Sequence, residues 1–411
     1  MKKPPFVLLL IISLMSCKHN SGHGDSNGLL IKAIPVPTKE SGEPNLFVSS
    51  DGGVLLSWVE YLNDTTDALL FSRLENGKWS EPNEIARGSD WFVNWADFPS
   101  LASFHNKPNS VAAHWLQKSA NGTYDYDVRI ALSKDGGYHW GPSFIPHRDG
   151  IAAEHGFVTM FPLQDGRMFI VWLDGRNTKG SEGHEDAHAH GGAMALRTAE
   201  FDEDGNLYEE AELDTRVCDC CQTDAVLIDS GPVVVYRDRS EEEVRDISIV
   251  RKINGQWTAP QKVHEDNWKI AGCPVNGPAI TAQNNTIAVA WFSMPGEKPQ
   301  VKVTFSEDSG ETFSAPIRVD EGNPVGRVDI ELLNSNEAVV SWMEEKEDGA
   351  TINAVKVDLQ GKMGAPFLMA ATNPSRQSGF PVMAKRDKQI IFAWTDADSL
   401  SSVKTAIMNI E

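Results

Sequence analysis

The chain has 411 residues, with 58 acidic against 37 basic side chains and a net charge of −21. So acidic a surface repels nucleic acid and anionic lipid and excludes both as electrostatic partners. An apolar share of 41%, with 12 Trp and 33 Gly, is ordinary for a globular protein and provides for a sizeable core.

In chain order, Lys2 and Lys3 precede an apolar run, FVLLLIISL, from Phe6 to Leu14. A basic start followed by a short apolar stretch marks an export signal, and the run is too short to span a bilayer. The string LMSC, ending at Cys17, resembles the lipobox of bacterial lipoproteins. That resemblance implies a signal peptide over 1–16, acylation of Cys17 and a bacterial cell-envelope location, periplasmic or surface. The only membrane contact would be the lipid anchor. Residues 17–28 are polar and rich in Gly and Ser, a flexible tether, and 29–411 form a single domain. With Cys17 acylated, four cysteines remain in an oxidising setting: Cys218, Cys220, Cys221 and Cys273.

From there one pattern repeats. An apolar strand, a turn and a second apolar strand ending in an aromatic residue recur at Trp58, Trp115, Trp172, Tyr236, Trp291, Trp342 and Trp394. The intervals are roughly 50–60 residues, and the longest contains an insertion from Arg176 to Gly192. Stretches such as VKVTFSEDSGETF read as a third strand, a tight turn and the start of a fourth. Four short strands per repeat, without helical periodicity, define an all-β propeller of seven four-stranded blades. The last repeat lacks a fourth strand, and LLIKAIPV, 29–36, belongs to no repeat. That segment is expected to complete the last blade and close the ring.

Ser133-Lys-Asp135-Gly-Gly137-Tyr-His-Trp140 and Ser306-Glu-Asp308-Ser-Gly310-Glu-Thr-Phe313 match the Asp-box, S-x-D-x-G-x-x-W/F. With the repeats, the chain resembles the sialidase-like Asp-box propellers over nearly its whole mature length. The resemblance implies an exo-glycosidase acting on acidic glycans, and by itself six blades rather than seven. It also implies an arginine triad for a sugar carboxylate, a Tyr nucleophile paired with Glu, and an Asp acid/base. The family's Phe/Tyr-Arg-Ile-Pro motif has its nearest string in Phe144-Ile-Pro-His147, which lacks the arginine.

Propeller topology places candidate residues. The loop leading into the first strand of a blade and the loop leaving the second lie on one face, beside the axis. Asp97, Glu154, Cys218 and Cys273 each stand the same number of residues before the aromatic of their own repeat. Arg327 and Arg376 fall near the same level. Loops leaving second strands bring Tyr124, Tyr126, Arg176, Arg237, Arg239 and Arg245. The insertion carries His184, His188 and His190. Asp97, Glu154, Tyr124 and Tyr126 are the catalytic candidates, and Arg176, Arg237, Arg239, Arg327 and Arg376 are candidates for a carboxylate. Cys218, Cys220, Cys221 and Cys273 suit disulfides, redox chemistry, or a zinc or copper site completed by His155 or by the histidines of the insertion. The expected partner is a glycan or small molecule at the axial face of a monomer. The alternative function is a non-catalytic propeller binding a glycan, protein or metal through its Cys/His face.

Overall fold

In a computed structural model that describes residues 31–179, 192–397 and 400–410, each of the seven aromatic-ended runs becomes the second strand of an antiparallel sheet. These strands are Val54–Asn63, Lys107–Lys118, Met168–Asp174, Gly231–Arg237, Thr286–Ser293, Glu337–Lys346 and Gln389–Asp396. Each pairs with an inner strand before it and a third strand after it. The result is a seven-bladed β-propeller. The second blade has a ladder of three strands, and the single bridge Ile130–Phe144 takes the place of the fourth. The described helices are three single 3-10 turns, and no described helix is long and apolar enough to cross a membrane.

The second strands explain the aromatic signature. Their side chains alternate between the two faces of a sheet that is covered on both sides by neighbouring blades, so nearly every position is apolar. Trp58, Trp172, Tyr236, Trp291 and Trp342 are essentially inaccessible to solvent. A buried indole needs a partner for its N–H. Trp172 and Trp342 find one in Asp174 and Glu344, two residues further on, at 2.9 and 2.6 Å. Adjacent sheets share a core: Val233, Val235 and Ile249 of the fourth blade pack with Ile287, Val289 and Trp291 of the fifth. Burying each such aliphatic side chain contributes about 1.5–3 kcal/mol.

The two S-x-D-x-G turns have one geometry. Asp135 and Asp308 each accept from the Ser two residues before and from the backbone N–H four residues after.

The ring closes as the repeat pattern requires. Ile31–Ile34 pairs antiparallel with Ser402–Asn409, so the described N-terminus supplies the fourth strand of the seventh blade. Trp79 of the first blade donates to Thr405, and Thr405 donates to the Ile34 carbonyl, bonding the seam into the first blade. The inner strands surround a central channel of about 300 Å³, lined by residues of all seven blades. Acidic side chains clamp neighbouring inner strands: Asp224 accepts from Ile280 N–H, and Asp329 from Met383 N–H.

Candidate functional site

One end of the channel gathers the loops that lead into the inner strands. Several of those strands begin with a bulge in which a non-glycine residue takes a left-handed conformation: Glu43, Phe157 and Arg327, with φ of 50°, 54° and 52°. Bulges re-aim side chains and are frequent next to functional sites. At Phe157 the bulge turns its backbone N–H to Asp97 of the preceding blade, 2.6 Å from Oδ1. The residue before it must be glycine, because a Cβ on Gly156 would stand 2.1 Å from Asp97 Oδ2.

Asp97, Tyr126 and Glu154 form one hydrogen-bonded unit. The Tyr126 hydroxyl lies 3.1 Å from Asp97 Oδ2 and 2.9 Å from Glu154 Oε1. A bridge between Tyr126 and Glu154 sets this approach, bringing the third strand of blade two against the start of blade three. A single phenolic proton serves only one carboxylate, so the other contact is satisfied when that carboxyl carries a proton. Burial pushes Asp97 up to about 7, against the opposing pull of the Phe157 N–H and Tyr126 hydroxyl. Burial also raises Glu154 to about 8; the Tyr126 hydroxyl opposes this, and the charges of Asp97, Asp219 and Cys273 add to it. Asp97 is inaccessible and Glu154 half-buried. Tyr126 is wholly buried, its ring stacked 4.1 Å from Phe92. It therefore has no surface for attack on a substrate, which corrects its reading as a nucleophile. Tyr124 is 52% exposed and meets Phe92 edge-on.

Of the five arginines expected to hold a carboxylate, four are committed to protein partners. Arg237 is 1% exposed and donates to the carbonyls of Asn276, Arg245 and Phe292. Arg327 donates to Ser378 Oγ and to the carbonyls of Gly379, Pro374 and Ser375, and burial lowers it to about 10. These two staple blades together, which corrects their assignment to a substrate. Arg176 pairs with Asp174 and Asp149, and Arg239 with Asp219 and Glu243. Arg376 differs. It is exposed, and its guanidinium makes no hydrogen bond or ion pair among the described residues. Its described contact is the face of Trp95, 5.9 Å from the ring centre.

Three sulfurs meet at the start of the fourth blade. Cys218 Sγ lies 3.3 Å from Cys221 Sγ and 3.9 Å from Cys220 Sγ, and Cys273 of the next blade approaches Cys220. All four are free thiols. Arg245 donates to Cys218 Sγ at 3.2 Å. Burial raises the Cys218 thiol, but hydrogen bonds from Cys220 and Cys221 and the Arg245 charge outweigh it and hold it well below the usual thiol range. His155 does not join them, a correction to the expected ligand set. Neighbours on a strand face opposite ways, so Glu154 looks towards the mouth and His155 away from it. His155 stacks on His147 at 3.7 Å, with Asp149, Asp127 and Asp174 around it. His184, His188, His190 and Cys17 lie outside the described residues.

Sequence reasoning missed Trp95, His147, Asp149, Gln222 and the pair Tyr61–Glu43, whose oxygens are 2.6 Å apart. Trp95 stacks on Phe380 across the mouth, and Gln222 bonds the Ala96 carbonyl. The aromatic string WFVNW beside Asp97 was the available signal for Trp95.

No protein-family model matches this chain, and no curated protein matches it. Among solved structures it resembles a protein of unknown function from Dyadobacter fermentans DSM 18053 at 13% identity. That match covers 92% of this chain and 98% of that one, with a TM-score of 0.53. The polysaccharide lyase Uly1 aligns at 10% identity over 92% of this chain and 91% of its own, with a TM-score of 0.54. The NanB sialidase from Streptococcus pneumoniae aligns at 13% identity over 95% and 70%, with a TM-score of 0.45. At such identities the likeness is one of fold: this chain is a seven-bladed β-propeller whose structural neighbours include a sialidase and a polysaccharide lyase.

Proposed function

We propose that this propeller is an exo-acting glycoside hydrolase of acidic glycans, held at the cell envelope by a lipid on Cys17. The observation that carries the reading is the Tyr126 hydroxyl placed between Asp97 and Glu154 at the channel mouth. Only Glu154 of the three is open enough to meet a substrate. It serves as the general acid: its carboxyl proton passes to the glycosidic oxygen as the bond to the anomeric carbon breaks. Water adds to that carbon, and its released proton restores the Glu154 carboxyl. Asp97 and Tyr126 are positioning residues that fix the Glu154 carboxyl.

Trp95 is half-buried, with Phe380 and Arg327 against its ring, and Arg376 beside it offers a free guanidinium for the sugar carboxylate. The shared fold with a polysaccharide lyase is in keeping with a glycan at this face. The test uses fluorogenic sialosides and uronides. Turnover that Glu154→Gln abolishes and Arg376→Ala weakens supports the reading. Absence of turnover with every substrate, alongside measurable glycan binding, would replace it with a non-catalytic glycan-binding propeller.

A further inference from the structure

The four thiols lie outside the hydrogen-bonded acid–base unit, yet two neighbouring blades bring them together. Sulfurs on a tetrahedral zinc ion, with Zn–S of about 2.3 Å, stand about 3.8 Å apart. Cys218 Sγ meets its two neighbours at 3.3 and 3.9 Å, and the three sulfurs are mutually within 4.8 Å. The fourth thiol, Cys273 of the next blade, is exposed and interacts with Cys220 at the edge of this group. Their loop is held in place independently. Cys218 N–H bonds the Arg237 carbonyl, and Gln222 is bonded to both Ala96 and Gly277 N–H. A Cβ on Gly277 would stand 2.1 Å from the Gln222 carbonyl, so this packing requires glycine.

Arg245 supplies a second, independent sign. It is 2% exposed, donates to Cys218 Sγ through one terminal nitrogen and to Glu243 through the other, and its Nε has no hydrogen-bond partner among the described residues. A buried guanidinium aimed at sulfur offsets the excess negative charge of several thiolates on one cation, as outer partners do around metal ligands.

We propose that Cys218, Cys220, Cys221 and Cys273 together bind one thiophilic d10 metal ion, zinc(II) or copper(I), at the rim of the channel. Thiolate ligands suit these cations rather than calcium or magnesium. Binding displaces the thiol protons. The bound ion ties blade four to blade five beside the loop that Gln222 braces.

The full chain, reduced, stripped with a chelator and kept anaerobic, is offered zinc(II) or copper(I) separately, and bound metal is counted per chain. One ion per chain is expected, with the relative affinities identifying which cation the site prefers. Cobalt(II) in place of zinc should show sulfur-to-metal charge-transfer absorption. Cys221→Ser should weaken binding about 100-fold or more, and Cys273→Ser, at an exposed position that leaves the fold undisturbed, about tenfold. The proposal is overturned if neither metal binds beyond a variant with all four cysteines changed to Ser. It is equally overturned if the native protein holds two disulfides and the reduced form takes up no metal. The readout is metal content, so it stands or falls apart from any glycan turnover.

Discussion

Tyr126 and Glu154 meet at 2.9 Å, yet only Glu154 reaches the open side of the channel mouth, because the tyrosine ring is sealed beneath Phe92. On the proposed reading the proton donor and the group that orients it are different residues, and substitution separates them. Glu154→Gln keeps the shape and removes the acid. It should lower kcat on acidic glycosides about 10²–10⁴-fold with little change in thermal midpoint. Turnover within tenfold of the native protein would remove Glu154 from the reaction.

Tyr126→Phe deletes one hydroxyl and leaves the buried Asp97 carboxyl and the half-buried Glu154 carboxyl each short of a partner. It should destabilise the fold by about 1–3 kcal/mol, read from denaturant unfolding. The loss in kcat should be smaller than for Glu154→Gln, since the acid remains but is held less firmly. A tyrosine variant as inactive as the glutamate variant would make the hydroxyl itself a reactant.

Two arginines near Trp95 should behave oppositely. Arg327 donates to four acceptors in 374–379, so Arg327→Ala should cost about 3 kcal/mol or more in stability. Lysine should not restore it, because an ammonium cannot reproduce the planar fork. Arg376→Ala should leave stability within about 0.5 kcal/mol while raising KM for acidic substrates about tenfold. Neutral glycosides should show no such rise. Equal KM changes on acidic and neutral substrates would exclude Arg376 from carboxylate binding.

Stability should fall as pH rises towards 8. Burial lifts Glu43, Asp97, Asp224 and Glu331 each to about 7. An acid whose pKa is raised on folding holds its proton more tightly in the native state. The stability it contributes is full below the ordinary carboxylate range and is lost as pH climbs through the raised value. The unfolding midpoint should therefore decline between about pH 5 and about pH 8. Glu331→Gln, which keeps an acceptor for Lys385 N–H, should flatten that decline. A midpoint that rises across this range would contradict the assignment.

The ring was legible because its cause is local. A second strand flanked by sheets on both sides must be apolar throughout, and its terminal aromatic marks each repeat, so Trp58 to Trp394 count the blades directly. Topology also brought Asp97, Glu154, Cys218 and Cys273 to one end without knowledge of any contact. Which arginine is free was not legible. Arg237 and Arg327 are spent on backbone carbonyls of distant loops, and a carbonyl carries no residue identity. His155 illustrates the other gap: one step along a strand reverses a side chain, and the bulge at Gly156–Phe157 that sets the phase is invisible in sequence. Trp95 and Gln222 meet partners in other blades, and no sequence spacing encodes those encounters.

The seam between Ile31–Ile34 and Ser402–Asn409 imposes an order of events on the growing chain. The opening segment is made first and finds its partner last, after every blade has been synthesised. Until then the seventh sheet presents a bare edge, a surface on which unfinished copies can join one another. Deleting the closing strand should thus yield sticky, protease-sensitive assemblies rather than a slightly shortened propeller.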